Sequence, residues 1–585
     1  MTSTTTHKCR FKRSVLTIAL PAACLLGAGA YAQSDEAPHF TGKELADIHC
    51  VRCHLAPEPV DMSKERWPRL LAKMGLYLGL QGDELPDFVS SEPKEASRPY
   101  EVARLLHDAE GNEVSINAFS AFVVSEPLIG EDEWVRMRDY YVENAPPMAD
   151  MYLETPDHPL VEGFIPTVPE LDIEPNGLVI DTAVDEARQL LYVGRSIGLL
   201  GADMPEDQKQ EELFAFDLTT GRQVGHARLP TEPIDIEVTE TGVRLSVHGE
   251  HPVEPGSGRA SITDWTGFDT RESRTRMVVN GLHRITQHHT HDLNGDGLED
   301  IVATMFGDGN LGVGGGRFSV FWQTPEFADA WQDAPAEIPR GTLEGTLRET
   351  VLVDRAGPIS SAIADFTGDD RPDIALLTAQ GMQEVILFVN VGNGLFAQQI
   401  LKQYSPAFGG NSIYAADMDS DGDQDMVVIN GDFSSQGVNE GFTQPKAYHG
   451  LRILRNNGDL TFTESYFYPM HGALKSAIAD YDDDGDQDIA LIAQYPRWEW
   501  EEPHTFVYLQ NQGDFEFAPA NMARDYWGVW ISVEAADVNA DAKPDIVLGL
   551  ANWPRFTPTD WLTEHDVMAE RNGEAATVMF LLNDH

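Results

Sequence analysis

The sequence predicts a small all-α domain followed by a larger all-β domain built from repeated sheets. Helical patterns are confined to about the first 150 residues, and a proline-rich stretch follows them. The rest of the chain repeats an acidic loop and short apolar strands. At 585 residues the chain is long enough for two or three domains.

Residues 1–32 have the pattern of a cleaved export signal. A basic start precedes an apolar stretch, and Ala30 and Ala32 give the Ala-x-Ala form of a cleavage site. The apolar stretch is too short to span a bilayer comfortably, so we expect no transmembrane segment in the mature chain. We therefore expect a periplasmic or secreted protein. A lipoprotein attached through Cys24 is the alternative.

The chain is strongly acidic. It contains 41 Lys and Arg residues and 95 Asp and Glu residues, which gives a formal net charge of −54 at pH 7. Such a field disfavours nucleic acid and anionic membrane surfaces as partners. We therefore expect no nucleic-acid partner.

Cys50, Cys53 and His54 form a Cys-x-x-Cys-His sequence, the attachment pattern of c-type haem. After removal of the export signal, Cys50 and Cys53 are the only cysteines in the sequence. Both thiols can reach the vinyl groups of one porphyrin, and the histidine can ligate the iron. The alternatives are a local disulfide, a thioredoxin-type pair and half of a zinc site. A second cysteine pair for zinc is missing from the sequence, and the helical context disfavours thioredoxin, so we expect one covalent haem c.

The haem domain is expected over residues 38–150. Thr41 and Glu44 have the spacing of a capping box that starts a helix leading to the cysteines. Residues 131–144 predict a second helix, which a run ending in two prolines stops. An opening helix on the haem motif and a closing aromatic helix resemble class I cytochrome c, in which the two helices meet at the haem edge. Relative to short cytochromes, residues 81–125 look like an insertion.

The second axial iron ligand is expected to be Met74. It ends a helical run, and the glycine after it would ease a turn toward the iron. Met62, Met148 and His107 are the alternatives, and Met74 can also be a gap-filling core residue. A thioether ligand would raise the reduction potential relative to two histidines.

Seven repeats follow the proline-rich linker at residues 151–172. Five clear copies start at residues 292, 365, 417, 480 and 537, and two degenerate copies start at 181 and 235. Each leads into short apolar strands with glycine turns. Residues 173–585 resemble FG-GAP/VCBS-type repeats, the family of the integrin α-chain propeller, which implies a seven-bladed β-propeller. The last strand ends the chain, so we expect residues around 160–175 to supply its partner and close the ring.

The five clear loops place oxygen ligands at alternate positions, as in the first half of an EF-hand calcium loop. Several carboxylates in one short loop repel each other unless a cation lies among them, which disfavours a merely solvated turn. We expect three to five Ca²⁺ ions and none at the degenerate copies. The copies at 292, 417 and 480 fit best, because those at 365 and 537 lack a glycine and a carboxylate. The candidate ligands are Asp292, Asn294, Asp296, Asp300, Asp365, Thr367, Asp369, Asp373, Asp417, Asp419, Asp421, Asp425, Asp480, Asp482, Asp484, Asp488, Asp537, Asn539, Asp541 and Asp545.

Catalytic residues are unknown from the sequence. His289, Tyr414, Lys475 and Glu534 precede the loops by three or five residues, so they would line a central channel if the preceding strands are innermost. The preferred alternative to a catalytic site is a water-filled channel in which every polar side chain has a hydrogen-bond partner. His289 and His291 also suggest a transition-metal site. Aromatic stretches at residues 495–506 and 552–561 are expected to form rim loops that bind carbohydrate, a partner protein or the haem domain.

Three functions remain open. The first is an electron-transfer protein in which a haem domain is joined to a calcium-stabilised propeller that binds a redox partner protein or a small-molecule electron donor. The second is a propeller-based oxidoreductase, such as a dehydrogenase, with the haem as the exit for electrons. The third is extracellular binding or adhesion, which rests on fold analogy alone.

Overall fold

The fold is described from a computed structural model of the chain. The described residues are 40–52, 55–80, 88–94, 101–108, 113–119, 126–151, 157–173, 177–197, 210–248, 260–270, 273–307, 316–325, 347–379, 381–431, 447–496, 503–552 and 577–585. The predicted export signal, Cys53 and His54 lie outside these residues. Within these ranges, no helix combines the length and the apolar character needed to cross a membrane.

The described residues of the N-terminal segment include three α-helices. Helix α1 (Gly42–His49) starts at a capping box, in which the Thr41 hydroxyl accepts from the Glu44 N–H and the Glu44 carboxylate accepts from the Thr41 N–H. Helix α2 (Trp67–Tyr77) has proline in its first turn. Helix α3 (Glu131–Asn144) has three acidic residues in its first turn, which complement the positive end of the helix dipole.

The three helices share one apolar core. Helices α1 and α3 approach closely at Gly42, where a Cβ atom would lie 2.2 Å from the Arg136 carbonyl oxygen and 2.6 Å from Tyr140 Cβ. The rings of Trp67 and Tyr141 have centroids 4.3 Å apart. We call this cluster the helical core; its fully or nearly fully buried members include Leu45, Ala46, Met62, Trp67, Leu71, Ala72, Leu76, Leu80, Ile129, Trp134, Met137 and Tyr141.

The prediction of an all-α domain over residues 38–150 is wrong. A three-stranded antiparallel sheet of strands β1 (Phe88–Lys94), β2 (Glu101–Asp108) and β3 (Glu113–Phe119) lies between α2 and α3. These strands fall in the stretch that looked like an insertion. Their hydrogen bonds join residues distant in sequence, so helical periodicity elsewhere in the segment did not reveal them.

Five four-stranded antiparallel sheets and one eight-stranded sheet follow in the described part of the chain. We divide the eight-stranded sheet into two groups of four strands and number the resulting seven units sheets 1 to 7. Sheet 1 consists of β5 (Gly177–Asp185), β6 (Leu190–Ser196), β7 (Glu211–Asp217) and β8 (Gln223–Leu229). Sheet 2 consists of β9 (Pro233–Thr239), β10 (Gly242–Val247), β11 (Ala260–Thr266) and β12 (Arg274–Leu282). Sheet 3 consists of β13 (Ile285–His291), β14 (Asp300–Met305), β15 (Arg317–Trp322) and β16 (Arg348–Val353). Sheet 4 consists of β17 (Pro358–Ala364), β18 (Asp373–Thr378), β19 (Glu384–Gly392) and β20 (Leu395–Gln403). Sheet 5 consists of β21 (Gly410–Ala416), β22 (Asp425–Asn430), β23 (Gly450–Asn456) and β24 (Phe462–Pro469). Sheet 6 consists of β25 (Ala473–Ala479), β26 (Asp488–Ala493), β27 (Phe506–Asn511) and β28 (Phe517–Asn521). Sheet 7 consists of β29 (Trp530–Ala536), β30 (Asp545–Asn552), β31 (Val578–Asn583) and β4 (Phe164–Thr167).

Sheet 7 is completed by a strand that precedes sheet 1 in sequence. Strand β4 pairs antiparallel with β31, which puts Phe164 opposite Asn583. The Phe164 ring packs edge-on against Tyr508, with centroids 5.3 Å apart. This strand lies within residues 160–175, the stretch from which a closing strand was expected.

The seven sheets form a closed cycle. The first strand of each sheet contacts the first strand of the next, and the first strand of sheet 7 contacts that of sheet 1. A short pairing of β30 with β5, in which Ala551 lies opposite Leu178, also joins these two sheets. Apolar side chains of adjacent sheets pack together between them. The first strands are therefore innermost, and the arrangement is β-propeller-like.

The two degenerate repeat copies were placed in the wrong register. Asp181 and Asp235 lie inside the first strands of sheets 1 and 2, not at the start of a loop. Each follows a β-bulge that recurs at the same place in the other first strands. Short turns end these two strands instead of acidic loops. The aspartates matched the repeat by residue type, although their structural counterparts are Ser360 and Ser412.

Candidate functional site

Five acidic loops join the first and second strands of sheets 3 to 7, and we call them the acid loops. In each, the first aspartate accepts hydrogen bonds from backbone N–H groups four and five residues later. Asp417 Oδ1, for example, lies 3.1 Å from the Asp421 nitrogen, and its Oδ2 lies 2.9 Å from the Gly422 nitrogen. The backbone therefore shapes every loop. The acid loops are residues 292–300, 365–373, 417–425, 480–488 and 537–545.

The last aspartate of each acid loop is buried. Asp425 Oδ1 accepts from the Asn456 N–H at 2.7 Å, and its Oδ2 accepts from the Met418 N–H at 3.1 Å. Burial raises the pKa of Asp425 to about 7. Burial likewise raises the pKa to about 6 at Asp300, Asp488 and Asp545.

Two acid loops bring three carboxylates to metal-binding distances. One oxygen each from Asp417, Asp419 and Asp425 lies within 4.8 Å of the others. Asp419 Oδ1 is buried and lacks a hydrogen-bond partner in the described structure, although Arg455 lies 2.9 Å from its other oxygen. A buried carboxylate oxygen without a donor fits a bound cation.

The 480 loop also brings three carboxylates together, but they are Asp480, Asp482 and Asp484, so the fifth loop residue takes the place of the ninth. Asp482 Oδ1 is the second buried carboxylate oxygen in these loops that the described residues leave without a donor. Asp482 Oδ2 accepts from Gln510 Nε2 at 2.5 Å. The two loops therefore offer a cation the same kind of oxygen.

The remaining acid loops differ. In the 365 loop, Arg371 pairs with Asp369, so the chain supplies its own cation there. In the 292 loop, Asn294 Oδ1 accepts from the Asp296 N–H at 2.9 Å. Among described residues, neither these two loops nor the 537 loop holds three carboxylates within the same distance. The geometry thus favours the 417 and 480 loops as cation sites.

Four buried asparagines escaped the sequence analysis. They lie at or within two residues of the end of the third strands of sheets 4 to 7, beside the last aspartate of the acid loop of the same sheet. The available signal was an asparagine recurring at the same place in VNVGNG, RNNGDL, QNQGDF and LLNDH. These residues are Asn390, Asn456, Asn511 and Asn583.

The first strands contribute two rings of residues to the centre of the cycle. The first ring follows the β-bulge of each strand, and the second ring lies two residues later. The first ring is Asp181, Asp235, Gln287, Ser360, Ser412, Lys475 and Ser532. The second ring is Ala183, Glu237, His289, Ala362, Tyr414, Ala477 and Glu534.

First-ring side chains bind the backbone of the neighbouring sheet. Asp181 accepts from the Ile236 N–H at 2.9 Å, and Gln287 accepts from the Ser361 N–H at 2.8 Å. Asp235 and Ser360 make the equivalent bonds one sheet further on. The first strands are sheet edges whose N–H groups need acceptors, so these bonds tie each sheet to the next.

The structure brings three of the four proposed channel residues near Asp181. Lys475 Nζ lies 3.3 Å from Asp181 Oδ1, across sheet 7. Tyr414 lies beside Lys475, and its oxygen accepts from the Ser476 N–H at 3.2 Å. Glu534 Oε1 accepts from the Val184 N–H at 3.1 Å, while its buried Oε2 has no donor among the described residues.

Burial dominates the ionisation of this cluster. It raises the pKa of Glu534 to about 8 and that of Asp181 to about 6. Burial alone would lower the pKa of Lys475, but Asp181, Tyr414 and Asp235 together outweigh it, and the pKa is raised. The cluster therefore holds the Lys475 amine paired with the Asp181 carboxylate, and a Glu534 carboxyl group whose neutral form is favoured by burial.

The histidines of sheet 3 take separate roles. His289 Nε2 lies 2.7 Å from the Ser361 carbonyl oxygen, and His291 lies exposed at the end of its strand. His288, which the sequence analysis passed over, is fully buried, with its Nδ1 2.6 Å from Asp235. Burial opposes its protonation, yet Asp235 and Glu237 raise the pKa of His288 to about 9. Metal-ligand groupings found in the described residues include none of these histidines.

Cys50 lies at the end of α1 against the helical core. It is half-buried, and the Tyr141 hydroxyl of α3 is 3.7 Å from its sulfur. Burial raises the pKa of the Cys50 thiol, and the Tyr141 hydrogen bond partly opposes this. Trp134 Nε1 and His49 Nδ1 are buried nearby and find no hydrogen-bond partner in the described residues. This region therefore holds two unmatched polar groups beside the first cysteine of the motif.

The candidate axial ligands are spread over the N-terminal segment. Met74 is half-buried on α2, whereas Met62 is buried in the helical core. Met148 starts a short 3₁₀ turn, and His107 lies in β2. Because His54 lies outside the described residues, the distances that would select a ligand are not defined.

The N-terminal segment contacts sheets 4 and 5 through Asp61. The Ser405 hydroxyl donates to Asp61 Oδ2 at 2.5 Å, and the Tyr448 hydroxyl donates to the Asp61 carbonyl oxygen at 3.0 Å. This contact fixes the segment beside the loops that lead into β21 and β23. Residues 497–502 of the first proposed rim loop and 553–561 of the second lie outside the described residues.

Residues 365–428 match the family model of the FG-GAP-like repeat. The match starts at an acid loop in sheet 4 and ends in the second strand of sheet 5, so the sequence repeat straddles two sheets. No curated protein matches the chain.

Similar solved structures include the N-terminal domain of Nup159, at 9% identity and a TM-score of 0.38, covering 73% of this chain and 97% of that chain. Another is a structure of S. cerevisiae Dbp5 bound to Nup159, Gle1, IP6 and ADP, also at 9% identity and 0.38, covering 73% and 96%. Likeness at this level carries no argument about function. The FG-GAP-like repeat and the small antiparallel sheets together fit a β-propeller-like domain.

Proposed function

We propose that the protein is an exported electron-transfer protein that holds one covalent haem at Cys50, Cys53 and His54. The observation that carries the proposal is the Cys-x-x-Cys-His sequence at the end of α1, where Cys50 faces the helical core. Bound haem would supply one-electron transfer. The cysteines would anchor the group, His54 would ligate the iron, and Met74 is the preferred second axial ligand.

The described residues around Cys50 fit such a group. The Trp134 indole N–H and the His49 Nδ1 atom are buried without hydrogen-bond partners in the part of the chain described, and haem carboxylates are acceptors that could satisfy them. Trp67 and Tyr141 provide apolar surface beside Cys50. These contacts would orient the group and exclude water from it.

Absorption spectroscopy of the protein, produced in cells that mature c-type cytochromes, tests the proposal. We expect a haem spectrum and a mass increase of one haem that survives denaturation. The variant Cys50→Ala/Cys53→Ala should lose the covalent haem. A colourless wild-type protein would overturn the proposal.

The propeller-like domain is proposed to bind Ca²⁺ in its acid loops and to receive the redox partner, either a protein or a small-molecule donor. The unpartnered oxygens of Asp419 and Asp482 support cation binding. The Asp61 contact supports a fixed position of the haem segment against sheets 4 and 5. The net charge of −54 favours a basic partner and a salt-dependent association.

A second candidate function is a propeller-based oxidoreductase that passes electrons to the haem. The cluster of Lys475, Asp181, Tyr414 and Glu534 favours it, because it combines a charged amine with a carboxyl group that can hold a proton. Reduction of the haem by a small substrate, and its loss in Lys475→Met, would select this function. Reduction by a partner protein alone would select the carrier.

A further inference from the structure

In sheets 4 to 7, one buried asparagine joins the acid loop to the acid loop of the preceding sheet. The backbone N–H of Asn511 donates to Asp488 Oδ1 at 2.7 Å. Its side-chain Nδ2 donates to the Gln487 carbonyl at 3.1 Å and to the Met418 carbonyl at 3.0 Å. Met418 belongs to the acid loop of sheet 5. A single amide therefore holds the 417 and 480 loops together.

The same arrangement repeats along the chain. The backbone N–H of each asparagine lies 2.7 Å from the last aspartate of its own acid loop. The side-chain amide reaches the second residue of the preceding loop, at 2.8 Å for Asn390, 2.9 Å for Asn456 and 2.6 Å for Asn583. The five acid loops of sheets 3 to 7 thus form an unbroken series joined by four asparagines.

The side chain of Asn511 is held from both sides. It is fully buried, and its Oδ1 accepts from the Gly513 N–H at 3.0 Å. Rotation of this amide would leave buried carbonyl groups without donors, so it moves only with the loops that it binds. A direct bond, from Ser420 Oγ to Asp486 Oδ1 at 3.0 Å, also joins the two loops.

The bridged atoms are next to the proposed cation ligands. Met418 lies between Asp417 and Asp419, two of the three carboxylates that cluster in the sheet 5 loop. On the other side, Asn511 binds Asp488, the last candidate ligand of the 480 loop. A cation that fixes Asp488 in the 480 loop therefore also fixes the Asn511 amide. That amide in turn positions the Met418 backbone between Asp417 and Asp419 in the 417 loop.

We propose that the acid loops are coupled cation sites, in which a cation bound in one loop raises the affinity of the adjacent loop through the shared asparagine. This rests on the proposed Ca²⁺ binding of the loops. The asparagines are positioning residues, because they contact the loop backbone and a ligand carboxylate but not the cation. Coupling is reciprocal, so each of the two sites strengthens the other by the same factor.

Titration of the full chain with Ca²⁺ alone tests the coupling. Amide hydrogen exchange of residues 417–425 against Ca²⁺ concentration reports the binding midpoint of that loop. Asp484→Ala removes an exposed carboxylate from the 480 loop and leaves the 417 loop intact. We expect this variant to raise the midpoint of the 417 loop about fivefold or more, the range typical of coupled sites.

A double-mutant cycle assigns the effect to Asn511. In an Asn511→Ala background, Asp484→Ala should change the midpoint of the 417 loop by a much smaller factor, because the asparagine link is lost and only the Ser420–Asp486 bond among the described contacts remains. Gln512→Ala is the matched control, because Gln512 is the exposed neighbour on the same turn and bonds only within it. In that background the effect of Asp484→Ala should remain.

The outcomes separate the coupling from the proposed function. If Asp484→Ala abolishes binding in its own loop and leaves the 417 midpoint unchanged, the coupling is overturned while Ca²⁺ binding stands. If Ca²⁺ changes exchange in none of the loops of the wild type, Ca²⁺ binding and coupling both fail, whereas the haem proposal is unaffected. If Asn511→Ala does not fold, Asp541→Ala with exchange in the 480 loop tests the next bridge, through Asn583.

Discussion

At the scale of single residues, buried polar groups join neighbouring sheets. His288, Lys475 and the four third-strand asparagines each contact a sheet other than their own. Removing one partner of such a bond leaves the other buried without water, which costs about 1–3 kcal/mol. Substitutions at these positions should therefore show how much these bonds between neighbouring sheets contribute to stability.

His288 should make stability depend on pH. Its pKa is raised to about 9 in the folded protein, above about 6.5 for an unfolded chain. Its contribution is therefore complete below pH 6.5 and is lost as the pH rises through 9. The excess unfolding free energy of the wild type over His288→Gln should fall by up to about 3 kcal/mol between pH 6 and 10.

Urea unfolding of both proteins at constant ionic strength and saturating Ca²⁺ measures this difference. Other groups titrate in both proteins and cancel in the comparison. A gap between wild type and variant that stays constant with pH would contradict the assigned ion pair of His288 with Asp235.

At the scale of elements, close packing at two places holds the N-terminal helices to each other and closes the ring of sheets. Helices α1 and α3 meet at Gly42, and β4 completes sheet 7 through Phe164. Both contacts join segments that are distant in sequence. Each has a nearby position that serves as a control.

Gly42→Ala should separate α1 from α3. The new Cβ would lie 2.2 Å from a backbone oxygen, and such overpacking costs about 1–3 kcal/mol. We expect faster amide exchange in both helices. Gly130→Ala is the control, because the nearest atom to its Cβ would be a side-chain oxygen at 3.6 Å, and it should leave the exchange nearly unchanged.

Phe164→Ala should destabilise the ring closure by about 3–5 kcal/mol, the cost of removing a buried phenylalanine side chain. The adjacent Ile165 on the same strand is 52% exposed, so Ile165→Ala should change the unfolding free energy by less than about 0.5 kcal/mol. Chemical denaturation measures both. Equal effects of the two substitutions would argue against β4 as the closing strand.

At the scale of the whole molecule, a ring of sheets carries a large negative charge. The acid loops concentrate part of the net charge of −54 in five turns, all of which join the first and second strands of their sheets. Bound cations would relieve the repulsion within each turn. Cation binding and stability of the ring are therefore linked.

Chelation of Ca²⁺ should lower the melting temperature. Ligand at about 100 times its Kd contributes about 2.7 kcal/mol for each independent site. Calorimetry with and without chelator measures the loss, and Asp419→Asn/Asp482→Asn should show a smaller one. An unchanged melting temperature in the wild type would contradict structural calcium.

Sequence reasoning reached the local features. The capping box at Thr41, the helix over residues 131–144 and the five acid loops each depend on contacts within a few residues, so residue type and spacing were enough to predict them. The haem at Cys50, Cys53 and His54 and the calcium ions stay predictions. The register of sheets 1 and 2 was wrong because Asp181 and Asp235 resemble loop aspartates in type but not in position.

Only the tertiary structure decided which distant residues meet. The pairing of Lys475 with Asp181 and the burial of His288 between acidic side chains depend on contacts across tens to hundreds of residues. The asparagine bridges are similar, since Asn511 binds a carbonyl 93 residues away. The sequence by itself determined the repeated turns and their charge, because short-range hydrogen bonds shape them. The closed ring determined the hydrogen bonds and ion pairs between neighbouring sheets. The buried polar groups at the sheet edges find these partners only in the folded chain.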